Sequence, residues 1–157
     1  MHKTKINEKR IKITLQIRVR NSFIPSRYFL KRWVHTALSG QTENNIVNIR
    51  LVTQKESAKL NTLYRHKKGA TNILSFPFEP PPQVTSPFLG DLVLCATHIN
   101  QEAKQQQKTR LAHWAHLIIH GCLHLIGYDH AHRHEAVKME TLEIQLLKEL
   151  GYENPYI

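Results

Sequence analysis

What the chain lacks sets its first bounds. No apolar run approaches the roughly 20 residues of a membrane-spanning helix. The longest candidate, around Leu117–Ile126, is interrupted by His120, Gly121 and His124. The N-terminal stretch MHKTKINEKRIKITLQIRVR is basic but holds no continuous apolar segment, so no secretory signal is expected. Cysteine is scarce: Cys95 and Cys122 are the only two, and both sit in apolar runs. Two isolated cysteines make no disulfide framework, and the plain reading is two buried small hydrophobes. These absences together predict a cytoplasmic protein. Acidic residues are short in the first half. Residues 1–70 carry 16 Lys+Arg and 3 Asp+Glu, whereas residues 71–157 carry 6 and 9; the formal net charge is +10. A merely solvated surface needs no such asymmetry. A polyanionic partner explains it, nucleic acid ahead of a membrane surface.

What is present fits one domain, residues 1–157, around a single core: the chain is 157 residues long with 41% hydrophobic content. IKITLQIRVR (11–20) alternates strictly, with Ile11, Ile13, Leu15, Ile17 and Val19 on one face. That period of two predicts a half-buried strand with a polar, partly basic outer face. A helix is expected from Ser26 to Leu38, ended by Gly40, and a second strand over NIVNIRLVT (45–53). Thr53 and Glu56 form a T-x-x-E capping box, which predicts a helix to about Tyr64. TNILSFPF (71–78) reads as a third strand, and Pro77 consigns it to an edge or ends it there. EPPPQVTSP (79–87) is a loop, GDLVLCA (90–96) a fourth strand, and a helix is expected after Thr97, from His98 to Gln107. Thr109 can cap the next helix. Its apolar residues lie all round, so it should be central and buried, with Gly127 as its end. A last helix is expected over 132–150, stopped by Gly151. The order β-α-β-α-β-β-α-α-α predicts an α+β or α/β fold: a small mixed sheet of about four strands covered by helices.

HGCLHLIGYDH (120–130) carries the chemistry. His120 and His124 are four apart, hence about 40° apart around a helix and one turn on. Gly127 lets the chain turn back, so that His130 can reach the same ion. Three imidazoles suit zinc, and a fourth position left to water makes the site catalytic in type; nickel and iron also accept imidazole. Core histidines bonded to carbonyls would be the plain alternative, but three at this spacing with a glycine at the turn favour a metal. Cys122 lies about 200° around the helix from His120 and is not expected to ligate. His116, on the same stripe, reads as packing ahead of a partner to a ligand; His113 is weaker still. The HAHRH cluster adds His132 and His134, but His130 is the ligand its place after the turn favours. His66 and His98 carry no separate signal. Asp129 reads equally as a turn residue or as a group that orients a ligand.

Several stretches resemble the YbeY family of metal-dependent endoribonucleases, also called rRNA maturation factors. They are LNTLYRHKKGATNILSFPF (60–78), LGDLVLCATHI (89–99), HWAHLIIHGCLHLIGYDH (113–130) and METLE (139–143). The HGCLHLIGYDH element is specific; a bare H-x₃-H-x₅-H would not be. The first 50 residues fit in length and order without a diagnostic motif, and the EPPPQVTSP loop is where variation is expected. The resemblance implies a zincin-like fold with one zinc per chain on His120, His124 and His130. It also implies a functional arginine, Arg65. The implied activity is hydrolysis of single-stranded RNA in maturation of the small-subunit rRNA 3′ end and in ribosome quality control.

One absence remains. Zinc peptidases place a glutamate after the first histidine, as general base; here Gly121 stands there. Phosphodiester chemistry explains the difference. Charge builds on phosphoryl oxygens, so a cation and an arginine fork matter more than a carboxylate, which would repel the substrate. Arg65 sits beside Lys67 and Lys68, and these with Arg18 and Arg20 are candidate contacts to an RNA backbone. Two rivals stay open: a zinc hydrolase of another class, and a ribosome-associated RNA-binding protein whose zinc only braces the fold.

Overall fold

The computed structural model describes residues 10–157. The first nine residues of the basic N-terminal stretch, and the reading of a missing leader there, lie outside them. The elements in chain order are β1 (Lys12–Ile17), α1 (Arg27–Leu38), β2 (Ile46–Val52), α2 (Gln54–Arg65), β3 (Ile73–Pro77), β4 (Phe88–Cys95), α3 (Ala96–Gln105), α4 (Arg110–Leu125) and α5 (Arg133–Glu149). The expected order is the observed one.

The four strands form one mixed sheet in the order β1-β2-β4-β3, so that the fold is α+β and zincin-like. β1, β2 and β4 run parallel, and β3 is antiparallel to β4. Pro77 ends β3 at the sheet's edge, where a missing N–H breaks no ladder. Alternation along β2 sends Val47, Ile49 and Leu51 into the main core, beside Leu92 and Leu94 of β4. Helix α1 lays Leu30, Trp33, Val34 and Leu38 into the same core. The other face of the sheet carries a small second cluster of Val52, Leu74 and Val93, with Leu60 of α2 against it.

Two expectations at element ends are corrected. β1 stops at Ile17 rather than continuing to Arg20, and Ile17 is 53% exposed. Its partner strand ends close by: Ile17 pairs with Leu51, the Arg18 N–H still donates to the Leu51 carbonyl at 2.8 Å, and β2 stops one residue on at Val52. Without a neighbour to pair with, alternation alone cannot extend a strand. Helix α3 starts at Ala96, directly from β4, with no side-chain cap. The Thr97 hydroxyl, the expected start signal, lies 3.1 Å from that of Ser22.

Helix α4 is the centre of the molecule. Thr109 caps it by accepting from the Ala112 N–H at 3.1 Å. Trp114, Leu117, Ile118, Ile119, Cys122 and Leu123 are all buried. The helix is apolar on every side because β3, β4, α1, α3 and α5 all lie against it.

Candidate metal centre

The site grows out of the C-terminal end of α4. The chain leaves the helix through a Schellman turn. The Gly127 N–H donates to the His124 carbonyl at 3.1 Å, and the Tyr128 N–H to the Leu123 carbonyl at 3.0 Å. Gly127 has φ +99, a left-handed conformation that a side chain would strain. The turn does two things. It brings the Tyr128 carbonyl to 2.9 Å from His124 Nδ1, and it sends the chain back toward the helix. Asp129 then accepts from the backbone N–H of His130 at 2.7 Å and of Ala131 at 3.3 Å. Asp129 is thus a turn residue that fixes the backbone carrying His130, and those N–H groups hold its carboxyl below the usual range.

The candidate ligand atoms of His120, His124 and His130 all lie within 4.8 Å of one another. His120 Nδ1 is 2.5 Å from Glu143 Oε1. Burial would raise the Glu143 carboxyl, but hydrogen bonds from His116, His120 and Tyr156 overcome it and hold the carboxyl at about 2. An ionised carboxylate only accepts, so His120 carries its proton on Nδ1. His124, facing the Tyr128 carbonyl, does the same. In the neutral Nδ1–H tautomers both Nε2 atoms are bare, and they lie 3.0 Å apart. Two facing lone pairs repel unless a cation lies against both, which is the donor arrangement a zinc site needs. Burial, together with the neighbouring His120, lowers the His124 pKa, and that favours the neutral, ligating form.

Behind the ligands stands a hydrogen-bonded network centred on Glu143. Glu143 of α5 has no exposed surface. Its Oε2 accepts from His116 Nε2 at 3.1 Å and from the Tyr156 hydroxyl. His116 is therefore a partner to the carboxylate that orients a ligand, which reverses the preference for plain packing. A signal for Glu143 existed: it interrupts the apolar stripe Met139, Leu146, Leu147 on α5, and a charge on a buried face needs partners. His113 belongs elsewhere, buried and 3.0 Å from Glu102 Oε1. His132 and His134 stack on each other at 6.4 Å between ring centroids, outside the three-histidine group. Burial pushes both cysteine thiols up, so neither supplies a thiolate.

Arg65, the last residue of α2, is exposed and lines the same cleft as the three histidines, a space of about 730 Å³. Its position is set by the loop that follows. Asn61 Nδ2 donates to the Gly69 carbonyl at 3.0 Å, and Ser57 Oγ bonds the Thr71 backbone at 3.0 Å.

Gly121 faces away from the cleft's metal ligands and into the sheet. A Cβ there would stand 2.5 Å from Ile73 Cδ1, 2.9 Å from Leu92 Cδ2 and 3.1 Å from Ser75 Oγ. The helix lies so close to β3 and β4 that a glutamate has no room. The absent base has a steric reason as well as a chemical one.

Residues 16–151 match the family model described as Endoribonuclease YbeY. In fold, the chain is similar to TM1509 from Thermotoga maritima, whose solution structure aligns with a TM-score of 0.54. The two are 21% identical over 87% of this chain and 91% of that one, a likeness that speaks to fold alone. The matched span takes in α4, its turn and the histidine cluster, and with a tri-histidine site able to hold a metal the chain belongs to the YbeY endoribonuclease family, a family of metal-dependent hydrolases.

Proposed function

We propose that this protein is a zinc-dependent endoribonuclease that cuts single-stranded RNA, acting in the cytoplasm on the 3′ end of small-subunit rRNA and in ribosome quality control. The observation that carries this reading is the shared cleft: an arginine and three converging histidines open into one space. Both oxygens of Glu143 accept hydrogen bonds, and Asp129 accepts backbone N–H groups on Oδ1.

His120, His124 and His130 would hold the zinc. When bound, the metal supplies a Lewis acid for a phosphoryl oxygen and a means of activating water. Arg65 clamps the scissile phosphate, since a guanidinium presents paired N–H donors to two oxygens and stays charged at any working pH. Tyr64, beside it on the cleft wall, offers an aromatic face against which an unpaired base can stack. Lys67 and Lys68 are exposed directly after α2 and extend the positive field from Arg65.

The test is cleavage of an end-labelled single-stranded RNA by wild type, Arg65→Ala and His124→Ala. Arg65→Ala should keep one zinc per chain and its fold, and lose cleavage by about 100-fold or more, the usual effect of removing a transition-state donor. His124→Ala should lose both zinc and cleavage. Equal cutting by all three would mean a contaminating nuclease and end the proposal. Tight RNA binding by a wild type that never cuts would instead make the zinc a structural brace. Deoxy substitution at the cleaved position separates attack by water, which survives it, from attack by the 2′-hydroxyl.

A further inference from the structure

Tyr156 lies in the segment after α5, and its exposure does not match its bonding. The residue is 47% exposed, so its ring contributes little to the core. Its hydroxyl nevertheless donates to Oε2 of Glu143, a carboxylate with no exposed surface. The ring stands edge-on to His116, with centroids 5.3 Å apart, and forms part of the wall of the metal cleft. The segment that carries it is placed by polar contacts. Lys108 Nζ donates to the Pro155 carbonyl at 2.8 Å, and the Tyr156 N–H donates to Asn154 Oδ1 at 2.8 Å. A residue that served packing would bury its ring and leave its hydroxyl to water. This one is half exposed as a residue, yet its hydroxyl bonds a buried carboxylate.

The two oxygens of Glu143 have separate work. Oε1 faces His120 Nδ1, and Oε2 takes its donors from His116 and Tyr156. The donors on Oε2 fix the rotation of the carboxylate, and that rotation aims Oε1 at the imidazole. From these contacts we propose that Tyr156 is a positioning residue of the metal centre, acting through Glu143 to hold His120 in its ligating orientation. The inference rests on the reading that the three histidines bind zinc. It adds that the segment after α5 sets how tightly they do so.

Outer partners of a ligating histidine typically change metal affinity by about 10–100-fold, and a group one bond further out belongs at the lower end. The experiment measures zinc affinity by competition with a chromophoric chelator on the full chain. It compares wild type, Tyr156→Phe, Tyr156→Ala, Glu143→Gln and the Tyr156→Phe/Glu143→Gln double variant. The melting temperature of each metal-free protein is taken alongside. Tyr156→Phe should weaken zinc binding about tenfold and lower the metal-free melting temperature by no more than the few degrees that one lost donor to a buried carboxylate costs. In the Glu143→Gln background the same change should have no further effect, because the route through the carboxylate is already cut. Wild-type affinity in Tyr156→Phe, with loss only in Tyr156→Ala, would show a ring contact and overturn the proposal. A lower metal-free melting temperature in Tyr156→Phe with zinc affinity unchanged would overturn it too, by making the hydroxyl a prop of the fold alone. A wild type that binds no zinc would instead sink the metal reading itself.

Discussion

A buried carboxylate costs free energy unless donors surround it, and Glu143 has three. Its folded pKa of about 2 lies below the ordinary 4.5. The sign of the linkage follows: between those values the unfolded chain takes up a proton that the folded chain refuses. The stabilisation is fully present above pH about 4.5 and is lost as pH falls toward about 2. Glu102, whose carboxyl is also lowered by His113 and Asn72 against the effect of burial, adds in the same direction. Urea unfolding of the metal-free protein from pH about 5 to about 2 should therefore show falling stability, with a smaller fall in Glu143→Gln. An identical slope in that variant would remove Glu143 as the cause.

At the scale of elements, α4 has to satisfy two demands along one helix. One stripe must present His120 and His124 to the cleft. Another must lie almost in contact with β3 and β4, and Gly121 is what allows it. The Ser75 hydroxyl donates to the Gly121 carbonyl at 3.3 Å across that contact. Gly121→Ala forces the tips of Ile73 and Leu92 aside, an overpacking that should cost about 1–3 kcal/mol by denaturant unfolding. Gly121→Glu adds a buried charge with no partner and should cost more than about 3 kcal/mol or prevent folding. A stable Gly121→Glu variant would mean that the helix can shift from the sheet, and the steric account of the missing base would fail.

For the molecule as a whole, charge and site occupy related ground. The basic first half supplies Arg65, Lys67 and Lys68 beside a cleft whose histidines come from the acidic second half. An RNA strand drawn to the first would be delivered to the second. Binding of single-stranded RNA should weaken linearly with the logarithm of salt concentration, each phosphate contact adding about 0.7 to the slope. Lys67→Gln combined with Lys68→Gln should lower that slope by up to about 1.4 without changing zinc content. An unchanged slope would place the RNA path elsewhere on the surface.

Local chemistry decided most of the chain's outline. Period-two alternation in β1 and β2, the Thr53 and Thr109 caps, Pro77 at a strand end and Gly127 at a helix end are interactions among near neighbours. A linear reading can see them. The three histidines were legible for the same reason, since their spacing is a helix turn and a loop. Ile17 and Thr97 were misread because strand pairing and a direct strand-to-helix junction depend on distant partners. His116 and Tyr156 acquire their roles from Glu143, which is 27 residues from the first and lies on another helix. The sequence by itself determined which groups could bind a metal. Only the tertiary structure decided which carboxylate orients His120 and why no glutamate can follow it, because burial and close approach are properties of packed neighbours and not of spacing along a chain.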